Sequence, residues 1–220
     1  VLVAGASRHA KEVLELLYVQ NQLDDLRFFD DINTNGPDLF YDRFPIVKHV
    51  DDAHTIFKTD SQFVLGLGGT KARALVAEKL LKAGGSLHSV IAESARIGHF
   101  AVTVGRGVNI MEFVLISNSV VIGEGTLINA FSAIHHDVTV GSYCEISPRA
   151  TLLGGASIGD FSSVGSGAIV LPNIRVGNHV IIGAGSVVTH DIPDNCTVVG
   201  VPGKVIKEIS PTNPRISKVQ

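Results

Sequence analysis

From Val104 onward every sixth residue is aliphatic, and this period constrains the fold more than any other feature of the chain. The series runs Val104, Ile110, Ile116, Ile122, Ile128, Ile134, Val140, Ile146, Leu152, Ile158, Val164, Val170, Val176, Ile182 and Val188, fifteen positions without an exception. The position four further on, from Val108 through Thr126, Cys144 and Ser162 to Ile192, is always small or β-branched. A second period lies over the first, because Gly105, Gly123, Gly141, Gly159 and Gly177 each follow the aliphatic residue of every third hexad. Three hexads therefore make one coil, and each hexad is one face of a triangular prism. Side chains two apart in a strand share a face, so the aliphatic residue and the small residue two before it point inward. The five glycines are expected near corners, where positive φ is needed. Adjacent coils should pair as parallel strands about 4.8 Å apart, which makes five regular coils about 24 Å tall. Each coil buries its inner side only against its neighbours, so stability is built by stacking.

The regular coils are expected over residues 104–193. Ile91 and Ile97 continue the pattern upstream, but seven residues separate Ile97 from Val104, so residues 88–103 read as an irregular first coil. Beyond Val188, the segment His190-Asp191-Ile192-Pro193-Asp194 is expected to leave the prism. Gly200-Val201-Pro202-Gly203-Lys204 should then turn, and residues 210–220, with Pro211 and Pro214, read as a loose tail.

The chain has 220 residues, 45% of them apolar, which is enough for one large domain or two modest ones with a real core. A formal charge of −3 offers no basic surface for nucleic acid or acidic lipid. No apolar run approaches the roughly 20 residues of a spanning helix. Two cysteines, Cys144 and Cys196, are too few for a disulfide framework. There is no signal-peptide pattern, and a cytoplasmic enzyme is the expectation.

The opening eighty-five residues differ in kind. Val1-Leu2-Val3-Ala4 reads as a strand, followed by Gly5-Ala6-Ser7-Arg8-His9 and a helical pattern with Val13, Leu16 and Leu17 on one face. Arg27-Phe28-Phe29 is a second strand that ends in Asp30-Asp31. A third, Phe63-Val64-Leu65-Gly66-Leu67, ends in Gly68-Gly69-Thr70 before a helix over 71–83. This alternation argues for a small Rossmann-like parallel α/β sheet over residues 1–85. Ligands bind such sheets at the carboxyl ends of the strands, where Ser7, Asp30 and Gly68 all lie. A dinucleotide fingerprint would need glycine where Ser7 and Ala10 stand, and a dinucleotide would need a larger sheet, so NAD is not expected. A lone glycine in a β–α turn, or a pair of aspartates after a strand, is also compatible with a purely structural turn.

Nine histidines raise the question of zinc. Prism-fold carbonic anhydrases hold zinc with histidines at a fixed short spacing that His99, His135, His136, His179 and His190 do not supply, so no metal is expected. In the hexad Ile134-His135-His136-Asp137-Val138-Thr139, His136 takes an outward position and is followed by a carboxylate. An imidazole held in one tautomer by a carboxylate is a suitable general base near neutral pH. A solvated surface histidine is the alternative, and His135 has equal standing on pattern alone.

These residues bring a family into view. Over about residues 1–209 the chain resembles the hexapeptide acyltransferases that carry a small N-terminal nucleotide-sugar domain. They include bacillosamine-pathway and perosamine N-acetyltransferases and sialic acid O-acetyltransferase-like proteins. Gly5-Ala6-Ser7-Arg8-His9, Phe29-Asp30-Asp31 and Gly66-Leu67-Gly68 match the head domain. The run Ile-Asn-x-x-Ser-x-Ile-x-His-Asp over residues 128–137 matches the catalytic coil, and Val199-Gly200-Val201-Pro202-Gly203-Lys204 matches the C-terminal signature.

The resemblance implies a left-handed parallel β-helix over residues 86–209, against the usual right-handed crossover rule. It implies a homotrimer with acetyl-CoA as co-substrate in the groove between adjacent prisms, and a nucleotide-activated amino sugar as acceptor. His136 matches the catalytic base, Asp137 the carboxylate that orients it, and His135 a non-catalytic position. Ser7, Arg8, His9, Asp30, Asp31 and Gly68 match positions that hold the nucleotide sugar. Glu145, Ser166 and Ala184 match positions that touch acetyl-CoA. One departure stands out: Arg8 replaces a glycine, either to contact a phosphate or to narrow the site. The expected activity is N-acetylation of a nucleotide-linked amino sugar by direct transfer. O-acetylation of a sugar or sialic acid, and a non-catalytic nucleotide-sugar scaffold, are the alternatives.

Overall fold

A computed structural model describes residues 1–208, so the tail expected over residues 210–220 lies outside the described residues. The head begins with β1 (Leu2–Ala4), α1 (Arg8–Val19) and β2 (Arg27–Phe29). A hairpin, β3 (Leu39–Phe40) and β4 (Phe44–Val47), follows, then α2 (Val50–Phe57), β5 (Gln62–Leu65), α3 (Thr70–Lys82) and β6 (Ser86–Leu87). The sheet order is β3-β4-β2-β1-β5-β6, parallel except for the β3–β4 pair. The hairpin and α2 carry no signal in the sequence reading, since the strands are very short and Pro45 interrupts the apolar run of β4.

β1 pairs with β2 on one side and β5 on the other, so the strand order reverses between β1 and β5. That reversal opens a crevice at the carboxyl ends of both strands. α1 covers one face through Ala10, Val13, Leu16 and Leu17. α2 and α3 cover the other through Ala53, Phe57, Ala77 and Leu80.

The prism is a three-sided parallel β-helix of two-residue strands. The first face carries Val90–Ile91, Asn109–Ile110, Leu127–Ile128, Glu145–Ile146, Ser163–Val164 and Ile181–Ile182 in one ladder. The second runs from Arg96–Ile97 to Val187–Val188, and the third from Thr103–Val104 to Arg175–Val176. From the coil of Thr103 to that of Val188 the pairings join residues eighteen apart, as in Leu127↔Glu145 and Ala133↔Thr151. At the two ends they join residues nineteen apart (Val90↔Asn109) and sixteen apart (Ile181↔Thr197). The inward residues form one continuous apolar core from Val108 to Val198. Polar inward residues are satisfied within the ladder: Thr126, Ser132 and Ser162 donate to the carbonyls of Gly141, Ser147 and Gly177 at 2.8, 3.0 and 2.8 Å. Each hydroxyl thus ties its coil to the next at no cost in unmet hydrogen bonds.

The structure corrects two expectations and bears out another. The five periodic glycines do lie beside corners, but the left-handed residues of those corners are others. Left-handed residues recur every six positions from Ala101 to Gly185, with φ between +52° and +73°, and ten of the fifteen are not glycine. Gly105, Gly123, Gly141, Gly159 and Gly177 do not have positive φ; they are needed because coils approach closely there. A Cβ on Gly123 would stand 2.5 Å from the backbone of Gly141 and Ser142. Second, the slip in the first coil is present: Val90 and Arg96 pair nineteen residues on and Thr103 eighteen, so this coil holds one extra residue between its second and third faces while all three ladders continue. Third, the chain does not leave the prism after Val188. Ile192 bridges Val176 and is buried in the core, and Cys196–Val199 extends the first face beside Ile181–Ile182. Lys204–Glu208 then returns antiparallel to it.

Head and prism share their cores. Val90, Ala92, Met111 and Leu127 of the first coils pack with Val13, Leu16 and Phe28 of the head. Leu127 occupies an outward position on its strand and is nevertheless 1% exposed, because the head covers it. Among the described residues no helix is long and apolar enough to cross a membrane.

Candidate active site

His136 and Asp137 form the turn between the second and third faces, with Asp137 at the left-handed corner position (φ 60°). Aspartate tolerates that conformation better than most residues. Its Oδ2 lies 2.8 Å from His136 Nδ1, and both side chains are about two-thirds exposed, at 64% and 67%. An ionised carboxylate only accepts, so Nδ1 carries the proton and Nε2 of the neutral ring keeps its lone pair for an incoming ligand. His135 instead takes its place in the ladder, donating its backbone N–H to Leu152 O at 3.0 Å.

One coil further on, Gly154 is the floor beneath the imidazole. A Cβ there would stand 2.5 Å from His136 Cε1 and 2.7 Å from Nε2. The turn is pinned on both sides, by Gly155 N–H to His136 O at 3.0 Å and by Asp137 N–H to Asn118 O at 3.2 Å. Among the described residues the Gly154 N–H meets no acceptor. Gly154 did not enter the sequence reading; the only trace is the pair Gly154-Gly155 one coil below the histidine.

The head crevice is built on close approach. A Cβ on Gly5 (φ 118°) would strike Gly66 O at 2.7 Å, so the loops after β1 and β5 touch only because Gly5 has none. Ser7 stands at the N-cap of α1 without making a side-chain cap, and the first turn holds no acid. Such an exposed helix start favours an anion. Arg8, His9 and Gly68 line a cavity of about 470 Å³ with Asn129, Glu145, Ser147, Pro148 and Ser166 of the prism. His9 is 9% exposed; its Nδ1 lies 2.9 Å from Glu12 Oε2, and its buried Nε2 has no partner. That hydrogen bond holds the Glu12 carboxyl below the usual range. A buried ring nitrogen without a partner is costly unless a ligand completes it.

The two aspartates after β2 are engaged locally. Asp30 accepts from the backbone of Ile32 and Asn33, both at 3.1 Å, and from Asn33 Nδ2 at 2.8 Å. It also lines a second cavity of about 320 Å³ with Ala6, Asn33 and Pro37. Asp31 pairs with Lys79 at 2.5 Å. Glu145 turns toward the head, where its Oε2 accepts from Gly69 N–H at 2.7 Å. Ser166 and Ala184 lie exposed at the corner between the first and second faces. Their neighbours Gly167 and Gly185 have nothing within 4 Å of where a Cβ would be. This open strip runs down a different corner from the one that carries His136.

Both cysteines are sealed inside the prism, and burial pushes the Cys144 thiol up to about 12. Neither can act as an exposed nucleophile at neutral pH.

Comparisons with known proteins fall on both halves. A model of the bacterial transferase hexapeptide (six repeats) matches residues 119–154 and 155–190, and one of the PglD N-terminal domain matches residues 1–80. A search of curated proteins gives no match. Among solved structures, the chain is similar to a perosamine N-acetyltransferase variant from Caulobacter crescentus in complex with CoA and GDP-perosamine. The TM-score is 0.86 at 28% identity, covering 94% of this chain and 96% of that one. It is also similar to the acetyltransferase domain of PglB from Neisseria gonorrhoeae (TM-score 0.82, 27% identity, 93% and 98% covered). WeeI from Acinetobacter baumannii aligns with TM-score 0.82 at 25% identity, again covering 93% and 98%.

Proposed function

We propose that this chain, a hexapeptide-repeat acyltransferase with a PglD-type N-terminal domain, is an acetyl-CoA-dependent N-acetyltransferase acting on a nucleotide-linked amino sugar. The observation that carries the reading is the outward His136–Asp137 pair, 2.8 Å apart, with Nε2 open and Gly154 beneath it. The acceptor class is supported by the solved relative that holds CoA and GDP-perosamine. It is also supported by the head crevice, where a bare helix start and the unpartnered His9 nitrogen suit a diphosphate.

His136 Nε2 takes a proton from the sugar amine as the nitrogen attacks the thioester carbonyl. A C–N bond forms, the C–S bond breaks, and the proton passes from His136 to the departing thiolate. General-base help of this kind contributes about 10²–10⁴-fold. The Gly154 N–H is a free donor beside the ring and suits the developing oxyanion, an interaction worth about 3 kcal/mol. Transfer is direct, because both thiols are buried inside the prism and, among the described residues, no serine is hydrogen-bonded to His136. Asp137 holds the ring tautomer throughout.

The chain works as a homotrimer in this reading. His136 occupies the corner between the second and third faces, whereas the head cavity and the Gly167–Gly185 strip flank the corner between the first and second. A whole prism face separates them, and a neighbouring prism in a threefold assembly brings one corner against the other.

The test is to supply acetyl-CoA with amino-sugar and hydroxyl-sugar nucleotides and locate the acetyl group by mass spectrometry. Transfer to nitrogen, lost by at least about 10²-fold in His136→Ala with the fold intact, is the expected result. Near-normal turnover by His136→Ala, or acetyl found only on oxygen, would overturn it.

A further inference from the structure

The head meets the prism through a polar contact set that sits inside otherwise apolar packing. Arg73, at the end of the first turn of α3, is 0% exposed. Its Nε donates to Gly125 O at 2.8 Å, Nη1 to Leu67 O at 2.7 Å and Nη2 to Asn109 Oδ1 at 2.7 Å. Asn109, 1% exposed, donates in turn from Nδ2 to Leu65 O at 2.9 Å. From the next coil but one, the Glu145 carboxylate accepts the Gly69 N–H at 2.7 Å. Two coils therefore hold one short stretch of the head directly, through Asn109 and Glu145, and the coil between them holds it through Arg73. This stretch, residues 65–69, is the end of β5 and the loop after it at the edge of the crevice.

Packing alone does not call for this. A buried guanidinium must have all its donors met to avoid a large desolvation penalty, and an apolar side chain of similar size would be cheaper. What the polar set adds is a single orientation, because its hydrogen bonds are directional and hydrophobic contact is not. The two helix starts in the crevice also differ. The start of α3 is filled by the protein's own carboxylate from seventy-six residues away, while the start of α1 is given none. A carboxylate at a helix start is favourable in itself, and here it also anchors the loop.

We infer that Glu145, backed by Arg73 and Asn109, is a positioning residue that registers the 65–69 loop of the nucleotide-sugar site on the prism, rather than a contact for the acetyl donor. This rests on the reading of the head as a nucleotide-sugar site. It departs from the role in acetyl-CoA contact that the family resemblance implies for Glu145.

The two roles separate in one set of variants. Glu145→Ala removes the acceptor, and Glu145→Gln keeps an oxygen for the Gly69 N–H. Binding of GDP, UDP and dTDP is measured by calorimetry, amide exchange across residues 66–72 by mass spectrometry, and KM for acetyl-CoA by turnover. Glu145→Ala is expected to weaken the nucleotide that wild type binds by about tenfold and to speed exchange at Gly69. KM for acetyl-CoA should stay within about twofold, and Glu145→Gln should recover most of the binding. Unchanged nucleotide binding and exchange in Glu145→Ala would overturn the inference, as would a rise confined to the acetyl-CoA KM. Wild type that binds a nucleotide without transferring acetyl would sink the enzymatic reading alone, since binding and exchange still decide the role of Glu145. Wild type that binds none of the three overturns both.

Discussion

His136 is two-thirds exposed, yet its ring is not loose. Asp137 holds Nδ1, and the ring lies so close to Gly154 of the coil below that there is no room for a Cβ between them. Gly154→Ala would put a methyl group 2.5 Å from Cε1, so the ring must swing away from its attack position. Misplacement of a catalytic group by about 1 Å can cost 10²-fold, so kcat should fall by about 10- to 100-fold. KM for both substrates and the thermal midpoint should hardly move, because Gly154 does not have positive φ and its neighbourhood is the ring itself. Steady-state kinetics alongside a melting curve check this, and unchanged kcat would remove Gly154 from the site. The histidine itself stood out in the sequence as an outward residue followed by a carboxylate, but its distinction from His135 came only with the family resemblance. Gly154 was not legible, because its role arises from stacking across eighteen residues. The engagement of Asp30 by Ile32 and Asn33 is the local turn that two aspartates after a strand suggest, whereas the pairing of Asp31 with Lys79 spans 48 residues and no local pattern announces it.

The period of the coils was plain in the sequence, and the geometry of their corners was not. Left-handed corners are usually read from glycine, but here Phe113, Phe131, Tyr143, Phe161 and His179 take them and recover part of the strain by stacking along the edges. Phe113 and Phe131 stack at 5.1 Å, and Phe161 lies 5.7 Å from Tyr143 and 5.1 Å from His179. The glycines that do follow the eighteen-residue period answer a steric demand between coils, which shows only when the coils are stacked. The two kinds should respond differently to a methyl group. Gly123→Ala meets backbone at 2.5 Å and should cost about 3 kcal/mol, because backbone in a ladder cannot give way. Gly185→Ala meets nothing within 4 Å and bears only the strain of φ 68°. That strain is partly offset by the entropy removed from the unfolded chain, leaving a cost of about 1 kcal/mol or less. Denaturant unfolding of the two variants measures the difference; equal losses would mean that the close approach between coils is not what selects glycine.

On the proposed reading, each chain in the whole molecule carries two half-sites that it cannot bring together. The head cavity opens beside the corner that bears Ser166, and the His136–Asp137 pair projects from the next corner round the prism. The shared apolar core and the buried Arg73 lock head to prism, so the head cannot swing round to its own histidine. A head distinct from the prism was legible because the six-residue period slips once above Val104 and does not extend upstream of Ile91; the locking was not, since Arg73 reads as an ordinary surface arginine on a helix. If a neighbour supplies the second half, two inactive chains should repair one another. Protomers bearing His136→Ala lack the base but keep an intact head, and protomers bearing His9→Ala keep the base but lose a group that lines the head cavity. Denatured together in equal amounts and refolded, they assort at random in a threefold assembly. Each site then draws a sound base with probability one half and a sound head with probability one half. The mixture should recover about a quarter of wild-type turnover, while either variant refolded alone recovers almost none. A site completed within one chain predicts no recovery at any mixing ratio, because every chain would carry a defect in its own site.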